Sequence, residues 1–235
     1  MKLVSPAMKL VSPESMLAAI REIGLLPFFQ GPVKGFSVQE MTPPEHWFDT
    51  SDDLGPWDWK VDVVQSGEIA YGKFIRGGKA AFATVECYAH LMNWRRSLPA
   101  SEPDEAGRKV LALMEQQGTI ASKDIRSLLG VKKNVADAVV TRLSWQTRLL
   151  VGDIQRVYRG PTLKYSGWQT CTFCAPEALF GAEDGTPVFG GFSPFSAENP
   201  LEVGCTPEES KAFLVAKLKA AVPYATDREL IKILE

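Results

Sequence analysis

The plainest chemistry in this sequence lies in a set of cations placed among aromatics in its middle third. Lys132, Lys133 and Asn134 stand together, followed by Arg142, Arg148, Arg156, Arg159 and Lys164, with Tyr158, Tyr165 and Trp168 interleaved. Lys and Arg neutralise phosphates and an amide can read a base edge, so the pattern suits a double-stranded DNA backbone. From Asp104 to Thr170 the chain carries 11 Lys and Arg against 6 Asp and Glu, whereas the rest carries 15 against 22. The formal net charge of −2 thus conceals a basic middle in an acidic chain.

Other chemistries find less support. Cys171 and Cys174 form a C-x-x-C pair, but structural zinc needs four Cys or His ligands, and Cys87 and Cys205 lie far off in sequence. On a strand, Cys171 and Phe173 would share one face and Cys174 the other. His46 and His90 have no nucleophile near them in sequence, and neither a P-loop nor a GxGxxG phosphate cradle occurs. No metal and no cofactor is expected. The scattered cysteines, the absence of a secretory signal and the lack of any long apolar run point to a cytoplasmic protein with reduced thiols and no membrane partner.

The cations need elements to hold them. After Ser101, Val110, Leu111 and Met114 give one apolar helical face, and Gly118 stops that helix. Thr119-Ile120 suits a very short strand, and Ser122 is placed to cap a second helix that Gly130 ends. Val135, Val139 and Leu143 then repeat at helical spacing, with Lys132, Lys133 and Asn134 at the start of that third helix. Leu149 to Ile154 and Leu163 to Phe173 read as a hairpin. Three helices and a hairpin over residues 101–175 make a winged helix-turn-helix, whose third helix enters the major groove and whose wing meets the backbone.

Residues 14–98 read as a mixed helix and strand domain, with a second winged helix left open. Ser15 to Leu26 has helical spacing, and Thr42-Pro43-Pro44-Glu45 resembles a capping box opening a helix through Trp47. Val61 to Val64, Ile69 to Phe74 and Ala80 to Thr84 read as a three-stranded meander turning at Ser66-Gly67 and Gly77-Gly78. A helix over Val85–Ser97 follows, with Arg95 and Arg96 suited to its C-terminus. Beyond residue 175 a Gly/Pro-rich stretch carries Phe180, Phe189, Phe192 and Phe195. Capping boxes at Thr206 and Thr226 then open two helices, so residues 176–235 form a helical extension of this α+β chain. The hexapeptide MKLVSP occurs at Met1–Pro6 and again at Met8–Pro13, which sets residues 1–13 aside as a duplicated start or a cloning scar.

The runs GLLPFF, GPWDWK, YGKF and GKAAF, followed by the helix-turn-helix pattern, resemble bacterial AlkZ-related proteins over about Ser15 to Glu177. These are distant relatives of the AlkZ/YcaQ DNA glycosylases, which are built from tandem winged helices and excise alkylated or crosslinked bases. The resemblance implies DNA binding and DNA repair. Those glycosylases hold the attacking water with a Gln-x-Gln or Gln-x-Asp pair, and no glutamine here has Gln or Asp two positions on. No catalytic residue carries over.

Base excision needs a carboxylate or amide near water and an aromatic pocket for the flipped base. An alkylated purine is cationic and is drawn to indole faces. Trp57-Asp58-Trp59, with Tyr71, Trp94 and Glu86, is the cluster that meets both demands: Asp58 or Glu86 as catalytic groups, Trp57, Trp59 and Tyr71 as the base pocket. The same tryptophans serve equally well as core anchors with Asp58 capping a turn. The functions left in view are a winged-helix DNA binder without chemistry, an active glycosylase on alkylated bases, and a protein-interaction winged helix, with homo-oligomerisation open.

Overall fold

The computed structural model describes residues 8–47, 54–181 and 201–235. Helix α1 (Pro13–Ile23) starts at Ser12, whose hydroxyl accepts from Ser15 N while Ser15 Oγ accepts from Ser12 N. Pro13 occupies the first turn, where its missing N–H goes unneeded. Leu10 is fully buried. The second copy of the hexapeptide therefore belongs to the fold, contrary to expectation; the first lies outside the described residues.

Gly24 (φ 89°) turns the chain into β1 (Leu25–Pro27). Gly24, which with Pro27 is expected to end the run of helical spacing from Ser15 to Leu26, does stop the helix, and Leu25 and Leu26 pass into the strand. Next comes α2 (Val38–Met41), which Thr42 closes by donating its hydroxyl to Val38 O at 2.8 Å. Thr42 thus ends one helix instead of opening the next, and Pro44–His46 forms only a single 3-10 turn.

The largest correction is α3 (Pro56–Gln65), a helix where Val61 to Val64 read as a strand. Pro56 sets its first turn, and Asp58, Trp59, Lys60, Val61, Val63 and Val64 are all buried. Only Asp62 and Gln65 are exposed, too few to give the sequence a clear helical period. Gly55 (φ 62°) makes the entry possible, because a Cβ there would fall 1.7 Å from His46 O. Strands β2 (Ile69–Ile75) and β3 (Lys79–Thr84) turn at Gly77-Gly78 as expected, and α4 (Val85–Arg96) follows under a Thr84 cap. A three-stranded antiparallel sheet does form, but it is ordered β1-β3-β2: β1 pairs β3, on the opposite side from the β2 edge where a Val61–Val64 strand was expected.

Then come α5 (Glu105–Gln117), β4 (Ile120–Ala121), α6 (Ser122–Leu129), α7 (Lys133–Trp145), β5 (Leu150–Arg159) and β6 (Lys164–Cys174). Asp104 caps α5 through Gly107 N at 2.8 Å, and Gly130 ends α6 in the left-handed region. Asp124, which accepts from Ala121 N at 2.8 Å, closes the start of α6 where Ser122 was expected to. Val139 and Leu143 are buried, but Val135 is 45% exposed, so the apolar row on α7 stops one turn short of its start. The second sheet is ordered β4-β6-β5. Both halves therefore run helix, strand, helix, helix, strand, strand, and both sheets place the third strand between the first and second.

After α8 (Pro176–Phe180), helices α9 (Pro207–Ala221) and α10 (Asp227–Leu234) open on the Thr206–Glu209 and Thr226–Glu229 capping boxes that the spacing predicts. Phe180 is buried; Phe189, Phe192 and Phe195 lie outside the described residues. Helix α9 packs on α4 and α1, and α10 on α9 and β2, so the extension covers the N-terminal half. With antiparallel sheets and segregated helices, the architecture is α+β. Among the described residues no helix is long and apolar enough to cross a membrane.

One side chain joins the parts. Arg95, fully buried, donates to Phe74 O at 2.6 Å on β2, to Trp145 O at 2.8 Å at the end of α7, and to Leu234 O on α10. Lys73 N on β2 also donates to Ser144 Oγ of α7 at 2.9 Å. Arg95 thus serves the chain's long-range connections and not the C-terminal dipole of its own helix.

Candidate functional site

The wing-like hairpin is pressed onto α3 through alternate residues of β6. Tyr165, Gly167 and Gln169 meet Asp58, Trp57 and Lys60, while Ser166 and Trp168 between them are exposed. Period-two geometry creates this division, since successive strand side chains leave opposite faces. Gly167 (φ 79°) lets the strand approach closely: a Cβ there would lie 2.6 Å from Leu54 Cδ1.

At the junction, Asp58 is only 5% exposed. Its Oδ1 accepts from the Tyr165 hydroxyl and from Gln169 Nε2 at 3.1 Å, and its Oδ2 accepts from Leu54 N at 3.1 Å. Arg156 Nε stands 3.7 Å from Asp58, and its Nη2 lies 3.1 Å from Asp62, one helical turn along α3. Gln169 Nε2 also reaches Trp57 O at 3.0 Å, and Trp57 Nε1 donates to Gly167 O at 3.1 Å. A buried carboxylate needs such a shell, because each unmade bond would cost about 1–3 kcal/mol.

Lys60 is the more unusual member. It too is 5% exposed, and its Nζ donates to Trp57 O at 2.9 Å and to Gln169 Oε1 at 2.5 Å while lying 3.3 Å from the centre of the Trp57 ring. Burial pulls its ammonium down to about 7, with Asp58 opposing. Tyr165 is pushed up to about 12, first by burial and then by its bond to Asp58. Beside these groups opens a cleft of about 480 Å³ lined by Pro13, Asp58, Trp59, Asp62, Arg156, Tyr158 and Tyr165. A buried carboxylate and a phenol among aromatic walls can hold a water and take a planar ring.

The structure divides the residues foreseen for catalysis. Asp58 and Trp59 border the cleft. Trp57 lies under Lys60 and edge-on to Phe28 at 6.4 Å, and Tyr71 stacks on Phe82 at 4.6 Å; neither lines the cleft, and as base-pocket walls both are corrected to packing residues. Glu86 belongs elsewhere: it is exposed on α4 and paired with Lys217 of α9 at 3.3 Å, because α9 packs on α4. Trp94 is buried on α4 under Lys211. Gln169, Tyr165 and Lys60 escaped the sequence reading. The first two lie more than a hundred residues from Asp58, and a lysine beside tryptophans reads as a solvated charge.

The cations foreseen for DNA fall into two groups. Lys132, Lys133 and Asn134 are exposed at the start of α7, without an ion pair among the described residues, and Asn134 and Arg142 border a groove of about 440 Å³ along that helix. Arg159 and Lys164 face each other across the hairpin end, Arg159 lying 5.1 Å from the Trp168 ring. The others are paired or partly buried. Arg142 pairs with Asp104 at 2.7 Å, and Arg156 is spent on Asp58 and Asp62. Arg148 is half-buried, its Nε has no hydrogen-bond partner, and burial lowers its guanidinium below the ordinary value. Among the described residues no cluster of His, Cys, Asp and Glu could hold a metal ion.

Searches of curated proteins and of solved structures return no match. A family model described as AlkZ related does match, over residues 10–235. That span begins at the buried Leu10, takes in α3 and the hairpin that together enclose Asp58, and continues past Glu177 through α9 and α10. With nearly its whole length matched, the chain belongs to the AlkZ related family.

Proposed function

We propose that the protein binds double-stranded DNA through two successive winged helices. The observation that carries this reading is the repeated order of helix, strand, helix, helix, strand, strand with the third strand central in each sheet. In the second unit α6 and α7 make the helix-turn-helix, β5 and β6 the wing, and Lys132, Lys133 and Asn134 occupy the N-terminal end of α7, the part of a recognition helix that meets base edges and phosphates. The exposed Arg159 and Lys164 at the end of the wing add backbone contacts. A fluorescent duplex titrated at low salt tests this: association is expected at about 50 mM salt, where phosphate contacts are strongest, and none there would overturn it.

A second reading, base excision, is favoured by the cleft beside Asp58. Trp59, Tyr158 and Tyr165 supply ring surfaces for a flipped base, and the Asp58 carboxylate, held from behind by Gln169, supplies the group that could orient a water. Asp58 and the Tyr165 hydroxyl come from two distant segments instead of one Gln-x-Gln run. Asp58→Asn preserves size and removes the charge, so release of alkylated base should fall by at least about 100-fold if Asp58 acts on the water or on the sugar cation, as loss of a transition-state electrostatic contact does. Abasic-site assays on alkylated duplex read this directly. Equal activity in the variant would exclude Asp58, and no product from the unsubstituted protein would leave DNA binding as the whole function.

A further inference from the structure

A second cluster of reactive side chains lies away from the Asp58 cleft, where α4 meets the start of α9. Cys205 precedes the Thr206 cap of α9, and its Sγ lies 3.8 Å from His90 Nδ1 and 3.3 Å from Ser210 Oγ. His90 Nδ1 and Ser210 Oγ are 3.0 Å apart. Asn93 completes the group, donating through Nδ2 to Ser210 Oγ at 2.8 Å and to the Cys205 carbonyl at 3.0 Å. His90 is held in plane by stacking on Phe213, with ring centres 3.9 Å apart. Thiol, imidazole, hydroxyl and amide thus converge from α4 and α9, over a sequence separation of more than a hundred residues.

Each contact has a chemical consequence. Because Asn93 donates to Ser210 Oγ, the serine's own proton is free to point at His90 Nδ1 or at the Cys205 sulfur. Burial keeps His90 below its ordinary value, with Glu86 opposing and Lys217 adding to the effect, so the ring is a neutral base at pH 7. Glu209, at the start of α9, is directed to Thr206 N at 2.7 Å and not to the sulfur. A thiolate at Cys205 gains the Ser210 hydroxyl and the positive end of a fifteen-residue helix. The other cysteines differ. Cys87 and Cys174 are buried and Cys171 is largely so, and burial raises all three thiols.

We propose that Cys205 is a nucleophilic thiol, activated by His90 and Ser210, that forms reversible mixed disulfides with small-molecule disulfides. His90 Nδ1 takes the thiol proton, directly or through Ser210 Oγ. The Cys205 sulfur then attacks one sulfur of the disulfide, the S–S bond breaks, and the leaving thiolate takes the proton back from His90. Cys205 is oxidised to the mixed disulfide and the leaving sulfur is reduced to a thiol, so atoms and electrons balance.

The test uses the full-length protein with glutathione disulfide, followed by intact mass and peptide mapping. Cys205 should react first, at least about tenfold faster than Cys87, Cys171 or Cys174. His90→Gln and Ser210→Ala should each slow the pH 7 reaction at Cys205 about tenfold. The site that reacts first in the unsubstituted protein decides the matter even if a variant fails to fold. First reaction at another cysteine, or a Cys205 rate unchanged by His90→Gln, would overturn the proposal.

Discussion

Replacing Arg95 by methionine is expected to remove about 3–5 kcal/mol of stability, enough to unfold much of the protein at 37 °C. The guanidinium is fully buried and serves carbonyls from β2, α7 and α10 at once. Without it those oxygens face an apolar interior with no donor, and each orphaned group costs about 1–3 kcal/mol. Arg95→Lys should recover little, because an ammonium on a single-ended stem does not span the fork that meets Phe74, Trp145 and Leu234. Urea denaturation reads both variants. A loss under about 1 kcal/mol for methionine would mean that water reaches those carbonyls and that Arg95 does not hold the parts together.

The second large effect concerns Lys60 and pH. Its folded value is about 7 against an ordinary 10.5. Between those values the unfolded chain binds a proton that the folded protein does not, so stability rises with pH across the window and is lowest below about 7. The contribution between pH 7 and 9.5 is on the order of 3 kcal/mol, at about 1.4 kcal/mol per unit. Lys60→Met removes it. The buried thiols of Cys87, Cys171 and Cys174 pull the other way above pH 8, because folding keeps them protonated, but they do so in both proteins. The difference between the two urea-derived pH profiles therefore isolates Lys60. Parallel profiles would show that its ammonium stays charged in the fold, held by Asp58, Trp57 O and Gln169 Oε1.

Much of the second half was legible in the sequence, because its elements carry their own punctuation. Gly118 and Gly130 end helices, Val139 and Leu143 mark the inner side of α7, and the C-terminal helices open on Thr206 and Thr226 as their spacing requires. The first half was harder to read. Helix α3 is buried on nearly every side, so Val61, Val63 and Val64 mimic a strand, and β1 is three residues with a proline at its end. Asp58 was found because it stands between two tryptophans. Its partners were not, since Tyr165 and Gln169 reach it only after the hairpin folds back over α3. For the same reason Arg156 read as a phosphate contact: a cation's sequence neighbours do not reveal that Asp62 waits opposite it. Packing between the halves leaves a basic hairpin whose inner face is already paired, with Arg156 on Asp58 and Asp62.

That division leaves a sharper claim about DNA than the net charge gives, namely that contact is carried by the exposed start of α7 and the outer end of the hairpin, not by Arg156. Duplex affinity measured against salt for the unsubstituted protein and for Lys132→Ala with Lys133→Ala tests it most directly. Each lost phosphate contact removes about 0.9 from the slope of log affinity on log salt, so the double variant should bind more weakly at every salt concentration with a slope shallower by about 1.8. An unchanged slope and affinity in the double variant would contradict the account and place any DNA contact on another face of the molecule.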